Sequence, residues 1–479
     1  MNYRMICRVL GLILIALALL MLLPLVAGLC YGERVRGFLL SMALCALLGG
    51  LLCLPKPRTT SLVARDGFVI VGLGWLLISA LAALPFVFSG SIPNYIDALF
   101  ETASGFSTTG ATVVTDLDSM PRGDLFWRLF THWIGGMGVL VFLLAVLPMS
   151  GEHSMHIMRA EVPGPTVGKL VPRARRTASI LYLIYIALTL LEALLLLCGG
   201  MGFYDALLHA FATAGTGGFS TNPASIGGFH SLYLELVIGA FMLLFGVNFN
   251  LYYLVLIRRG KDAVKNEELH WYLGIVAASV LLIAMGIRRL YGGLAPALRH
   301  SFFNVAAVIS TTGFGTVDFT AWPEYCKWIL ILLMFCGGCA GSTGGGIKLS
   351  RLMILAKYIQ AEIRLMIRPR SVVRVQMDGR RVETGTVKAA AVFFSLYMFL
   401  LLLFSLLVSL DGCDIATSFT AALSCLSNIG PGMTAAIGPA GSFALFSYRT
   451  KLLLTLAMLL GRLELYPILV LLSPRTWSR

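Results

Sequence analysis

Apolar residues run along this chain in blocks of about twenty, the length that carries an α-helix across the hydrocarbon core of a bilayer. The pattern predicts ten such spans, at about 9–30, 37–54, 67–89, 125–148, 178–200, 231–257, 271–291, 326–348, 386–410 and 450–472. Between them lie four shorter, half-apolar segments at about 95–108, 203–216, 297–311 and 414–428, each ending in a glycine-bearing cluster. These are too short to span, and short apolar segments of this kind read as re-entrant elements. The first block has the basic flank of a signal peptide, but its apolar run is near full spanning length, so it is expected to be retained.

The polar positions orient the spans. With alternating spans and the amino terminus on side one, 26 of the 37 Lys and Arg residues fall on side one, ten of them in 348–388. The positive-inside rule makes that side cytoplasmic, with both termini inside. All four short segments then lie on the outer side, giving four like-oriented units of helix, re-entrant loop, helix.

Composition agrees. Of 479 residues 58% are hydrophobic and 13% charged, against roughly 25% charged in soluble domains. That excludes a soluble globular protein, a disordered chain and a nucleic-acid-binding module. The formal charge of +14 is mostly the orientation bias, with attraction to anionic lipid as its other use. The ten cysteines lack a secreted disulfide spacing and read as small apolar filler. The seven histidines are scattered; His153 and His156, at i and i+3 in a cytoplasmic loop, are better read as solvated than as a metal site. No catalytic constellation stands out, so no enzyme is expected.

Glycine is in excess, 50 residues, and the short segments show where some of it goes. They read DALFETASGFSTTGATV, DALLHAFATAGTGGFST, HSFFNVAAVISTTGFGT and TSFTAALSCLSNIGPGM, and align on Gly110, Gly218, Gly313 and Gly430. One such glycine would serve a tight turn; four in register, each ending an amphipathic short helix on the same side, form an internal repeat. A dehydrated alkali cation needs several oxygens in place of water, and backbone carbonyls supply them without holding the ion too tightly. Glycine permits the extended, crowded backbone that aims carbonyls inward. Neighbouring hydroxyls, Ser220 among them, offer further oxygens, and helix carboxyl ends favour cations. The candidate filter comprises Thr108, Thr109 and Gly110; Thr216, Gly217 and Gly218; Thr311, Thr312 and Gly313; and Asn428, Ile429 and Gly430. Asp97, Glu101 and Asp205 are expected to add attraction at the outer mouth.

The eighth span carries Gly337, Gly338, Gly341, Gly344, Gly345 and Gly346 around Ser342 and Thr343. Each interior glycine costs a helix roughly 1 kcal/mol relative to alanine, so an irregular segment is expected at mid-membrane depth, buried or lining water. Close packing through small residues is the other reading. The segment departs from a nucleotide P-loop, because Gly346 is followed by Ile347, Lys348 and Leu349. Cys336 and Cys339 lack the second ligand pair of a zinc site. Arg462 is the one basic residue well inside a span, and a charge there ordinarily faces a pore or a partner.

These residues closely resemble the Trk/Ktr/HKT superfamily and, within it, the membrane subunit of bacterial Trk potassium-uptake systems. The resemblance covers the chain from about residue 67 onward, and the two helices before it resemble the extra pair of TrkH-type subunits. It implies an all-α polytopic membrane protein with four pseudosymmetric helix–re-entrant pore loop–helix units around a central pore. The units are expected at 61–165, 166–265, 266–375 and 376–479, after a two-helix amino-terminal domain at 1–60. Four filter glycines imply potassium as the transported and filter-bound ion, with no organic cofactor; a serine in the first loop would imply sodium. Loop two departs from the pattern, having GTGG where a hydroxyl residue often precedes the glycine, so weaker coordination is expected from that quarter. The resemblance makes Gly341, Ser342, Thr343, Gly344, Gly345, Gly346 and Lys348 an intramembrane gating loop, with Arg462 facing the pore beneath the filter. It further implies a homodimer in the bacterial inner membrane, regulated by a cytosolic nucleotide-binding TrkA-type ring docking on the basic loops 149–177, 258–270 and 348–388. The alternatives are a sodium-conducting or poorly selective relative, and an ion-coupled secondary carrier, which would have inverted rather than parallel repeats.

Overall fold

The computed structural model describes residues 1–55, 62–138, 174–371 and 374–477. Within them the protein is helical apart from a small antiparallel hairpin, Gln376–Met377 with Arg380–Arg381. Two helices open the chain, Tyr3–Leu20 (continued as Leu22–Cys30) and Arg36–Cys53. They cross where Gly11 faces Gly49: a Cβ on either would come within 2.6–2.8 Å of the other's carbonyl oxygen. Small residues at a crossing let backbones approach closely, the usual basis of helix association in lipid.

A pattern of long outer helix, short helix and interrupted inner helix then runs four times. The outer helices are Ala64–Ala82 with Leu84–Ser89, Ala174–Cys198, Glu267–Ile287 and Thr384–Ser409. The short helices are Tyr95–Phe106, Phe203–Ala214, Leu294–Ile309 and Ile415–Ser427, at the segments the hydropathy pattern marks as re-entrant. Among the described residues six helices are long and apolar enough to cross a membrane, and a seventh span results if the bent pair Leu232–Phe245 and Phe249–Leu256 is counted as one.

The inner helices are shorter than the spans predicted for them, and the break in the third falls at the glycines where an irregular segment is expected. The four are Arg122–Gly136, Leu232–Phe245, Glu324–Cys336 and Tyr448–Arg462, only 13 to 15 residues each. The second bends by 90° into Phe249–Leu256. The third gives way to irregular backbone from Gly337 (φ +63°) to Lys348 (φ +73°) before Leu349–Ile367. The fourth is cut by Glu464 and Leu465, both at positive φ, before Tyr466–Leu472. Hydropathy counts apolar side chains and does not register a reversal of the backbone beneath them. The remainder of the predicted 125–148 span beyond Gly138, His153, His156 and most of loop 149–177 lie outside the described residues.

Candidate functional site

Each short helix ends the same way. Thr108, Thr216, Thr311 and Asn428 adopt φ of +54° to +60°. The N–H of the next residue returns to a carbonyl five positions back: Thr109 to Ser104, Gly217 to Ala212, Thr312 to Ala307 and Ile429 to Ser424, at 2.8–3.0 Å. This is the Schellman closure, which normally places glycine at the left-handed position. A β-branched threonine there is strained, by about 1–3 kcal/mol. Hydroxyls relieve part of this: Thr108 Oγ1 donates to the Ser107 carbonyl and Thr216 Oγ1 to that of Gly215, both at 2.7 Å.

One residue beyond each closure stand Gly110, Gly218, Gly313 and Gly430, with φ of +79° to +105°. They form a closed ring. A Cβ added to Gly110 would fall on the Gly217 carbonyl oxygen, one on Gly218 on that of Thr312, and one on Gly313 on that of Ile429. A Cβ on Gly430 would lie 2.7 Å from the Thr109 oxygen, returning to the first unit. Each glycine is thus seated against the carbonyl of the residue before the glycine in the next unit, in the order one, two, three, four, one. Among the described residues none of these four oxygens accepts a protein hydrogen bond. Buried carbonyls ordinarily find a donor, so four converging without one make a ready site for a cation. The four helix carboxyl ends add their negative poles. The glycines line an open-mouthed pocket together with Thr112, Arg128, Ser220 and Asn222.

The acids expected to attract cations at the mouth are engaged elsewhere. Asp97 accepts from Lys451 Nζ at 2.7 Å. Glu101 is buried and takes Arg128 Nε at 2.6 Å, with the Val113 N–H and Thr112 Oγ1 at 2.9 Å. Asp205 Oδ1 accepts from Thr221 Oγ1. Glu101 and Asp205 thereby hold the loops that follow Gly110 and Gly218, and Asp97 ties the first short helix to the fourth inner helix. Arg128 also lies over the Phe219 ring, 3.5 Å from its centroid, and donates to the Ser220 carbonyl, joining loops one and two. Arg299, from the third short helix, makes a two-pronged pair with Glu235 at 2.6 Å.

On the other side of the ring the irregular segment 337–348 presses upward. Gly345 N–H donates to Thr311 Oγ1 at 2.7 Å. A Cβ on Gly344 would sit 2.8 Å from the Ser310 carbonyl oxygen, and one on Gly345 would lie 3.0 Å from Asn428 Cβ. Ser342 Oγ donates to the Cys339 carbonyl, Gly341 O accepts from Phe249 N–H, and Lys348 Nζ donates to the Gly344 carbonyl. Gly346 (φ +77°) packs on Gly337. The bend in the second inner helix receives the segment: Cys339 N–H donates to Gly246 O, and Thr343 Oγ1 to Phe245 O.

Arg462 braces this contact. Its Nη1 donates to the Thr343 carbonyl (2.7 Å) and Thr108 Oγ1 (3.2 Å), its Nη2 to the carbonyls of Gly135 (2.5 Å) and Gly136 (2.7 Å). Glu464 turns away to pair with Arg351 at 2.5 Å. Two residues had no sequence signal. Glu268, buried at the start of the third outer helix, accepts at Oε1 from the N–H of Ala340 (2.8 Å) and of Ser350 (3.1 Å), clasping both ends of the irregular segment. His132, one of the scattered histidines, stands directly behind loop two.

Comparison with known proteins places this arrangement. The family model TrkH, described as a cation transport protein, matches residues 35–290 and 293–479. The chain is similar to the Trk system potassium uptake protein TrkH of Escherichia coli strain K12, 36% identical with both chains covered entirely. It is also similar to the Trk system potassium uptake protein TrkG of that organism, 35% identical over 99% of each. The crystal structure of the potassium transporter TrkH from Vibrio parahaemolyticus superposes with a TM-score of 0.89 over the full length of both chains, at 32% identity.

Proposed function

This chain belongs to the TrkH family of cation transport proteins, and from that premise we propose that it is the pore subunit of a Trk-type potassium-uptake system. The ring of four glycines against four unpaired carbonyls is the observation that carries the proposal. In this reading the backbone oxygens of Thr108, Thr109 and Gly110 and their counterparts in the other loops replace the water shell of potassium. The segment 341–346, with Lys348 and Arg462, would be the gate, a reading supported by its packing against loops three and four. The excess of basic residues on one side supports a bacterial inner-membrane location with both termini cytoplasmic. Conduction would be gated from the cytosol by a separate nucleotide-binding subunit of the TrkA type, acting on a homodimer. The four units would follow the 61–165, 166–265, 266–375 and 376–479 division.

The test is uptake of rubidium against sodium in a potassium-uptake-deficient strain expressing the chain. Rubidium preference is expected; sodium preference overturns the proposal. Gly313→Ser sharpens it. The new Cβ would meet the Ile429 oxygen and lie 2.8 Å from Pro431 Cδ at a backbone φ of +79°. That ring cannot close unchanged, and discrimination is expected to fall at least about tenfold, ~1.4 kcal/mol. An unaltered ratio in this variant would remove the filter assignment.

A further inference from the structure

Three of the four ring loops are braced from behind by side chains of their own segment. In loop one Ser107 Oγ and Thr109 Oγ1 are 2.7 Å apart, and in loop three Ser310 Oγ and Thr312 Oγ1 are again 2.7 Å apart. In loop four Ser424 Oγ donates to the Gly430 carbonyl at 2.7 Å, and Ser427 Oγ meets Tyr397 Oη at 2.6 Å. Loop two lacks such a brace up to its glycine: the bonds between its own side chains, His209 Nε2 with Ser220 Oγ at 2.9 Å and Thr221 Oγ1 to Asp205 Oδ1 at 2.7 Å, fall beyond Gly218. The positions that hold the serine–threonine pair in loops one and three are Gly215 and Gly217.

His132, from the inner helix of unit one, fills that place. Its Nδ1 lies 2.8 Å from the Gly105 carbonyl oxygen, and its Nε2 lies 3.2 Å from the backbone nitrogen of Phe219. A carbonyl only accepts and an amide N–H only donates, which fixes the ring as neutral with its proton on Nδ1. The imidazole therefore ties the end of short helix one to the residue that follows Gly218. It also packs on the Phe219 ring, with centroids 4.2 Å apart. A Cβ on Gly217 would land on the imidazole, and one on Gly215 on the His132 carbonyl. His132 and the two glycines thus fit as one arrangement: the glycines make the room, and the imidazole occupies it with bonds of its own to Gly105 and Phe219 where loops one and three have a hydroxyl pair.

We infer that His132 is a positioning residue for ion selectivity, standing in for the missing hydroxyl pair of loop two by holding the Gly217–Gly218 carbonyls in register with the other three quarters. This rests on the proposed filter. It also answers the departure of loop two from the repeat: the support comes from another helix.

The experiment measures rubidium and sodium uptake by the full chain in the potassium-uptake-deficient strain, with membrane yield and thermal stability of each purified variant as the folding check. His132→Ala is expected to lower the rubidium-to-sodium ratio at least threefold in folded protein. His132→Gln carries one N–H and one carbonyl, so it can remake both bonds, and is expected to stay within twofold of the unaltered chain. Gly217→Ser alone is expected to lower the ratio, because its side chain meets the imidazole. Combined with His132→Ala, it returns a hydroxyl to the vacated space and is expected to recover part of the loss, a coupling that independent damage would not produce. An unchanged ratio in folded His132→Ala, or equal losses in His132→Ala and His132→Gln, overturns the inference. Gly313→Ser in the same assay separates the two levels. If it alters the ratio while His132→Ala does not, the filter stands and the role of His132 falls; if neither alters it, the filter itself falls.

Discussion

At the scale of single residues, the ring shows what a sequence can and cannot announce. Gly110, Gly218, Gly313 and Gly430 were legible because only glycine sits comfortably where φ is near +80° and a neighbour's carbonyl occupies the place of a Cβ. The left-handed Thr108 and Thr311 stood out for their hydroxyls and Thr216 for its place in the repeat, none of them for its backbone, since threonine is a poor residue for that conformation. Arg462 was legible as a charge where charges are expensive, but the partners of its guanidinium come from the first and third units and no local spacing reveals them. Those partners set a prediction. A guanidinium offers five donors in a planar fork, and here it reaches the carbonyls of Gly135, Gly136 and Thr343 together with Thr108 Oγ1. Arg462→Ala removes both the brace and the positive charge beneath the ring, so rubidium flux into liposomes holding this chain alone is expected to rise at least about threefold. Arg462→Lys keeps the charge on a point donor that cannot span the four acceptors, and is expected to fall between the two. Flux equal to the unaltered chain in Arg462→Ala would show that the arginine bars nothing.

At the scale of elements, the short helices were readable to within a few residues because their amphipathic pattern and the glycines after them agree. The inner helices were not. Hydropathy does not mark where their backbone turns at Gly246 or at Glu464–Leu465, and the groups that meet those turns come from other elements: Cys339 N–H donates to the Gly246 carbonyl and Arg351 pairs with Glu464. The irregular segment 337–348 was flagged by its glycines, but what holds it was not: a carboxylate in a charged connecting loop reads as surface charge until Glu268 is seen buried against the N–H groups of Ala340 and Ser350. Two amide hydrogen bonds to one carboxylate oxygen are each worth on the order of 1.5–3 kcal/mol. Glu268→Ala frees both ends of the segment and is expected to raise basal rubidium flux severalfold, in the direction of a deletion of Gly344 to Gly346. If the deletion raises flux and Glu268→Ala does not, the clasp is dispensable; if neither does, the segment is no gate.

At the scale of the whole molecule, the clasp has a continuation to the exposed hairpin. Glu267, the neighbour of Glu268, pairs with Lys357 at 2.5 Å, and its N–H donates to Asp378 Oδ1 at 2.7 Å. Asp378 is the turn of the hairpin Gln376–Met377 with Arg380–Arg381, and its Oδ2 accepts from Asn266 Nδ2 at 3.1 Å. The hairpin is thereby fastened to the first turn of the third outer helix, one residue from the carboxylate that holds the segment under the ring. Arg364, Arg368, Arg370, Arg374, Arg380 and Arg381 are all exposed around it. Such a cluster steers and holds an acidic surface, more strongly at low salt. On the proposed reading that surface belongs to the cytosolic regulatory subunit, and force applied at the hairpin reaches the gate through Glu267 and Glu268. The double variant Arg380→Glu with Arg381→Glu leaves the bonds of Asp378 in place while reversing the sign of the hairpin's outer edge. Co-purification with the regulatory subunit is expected to fall several-fold at low ionic strength and to lose most of its salt dependence. The rubidium-to-sodium ratio of the chain alone is expected to hold, because nothing at the ring has changed. Undiminished co-purification would place the partner elsewhere on the basic face, whereas a changed ratio would show that the hairpin and the ring are coupled without any partner.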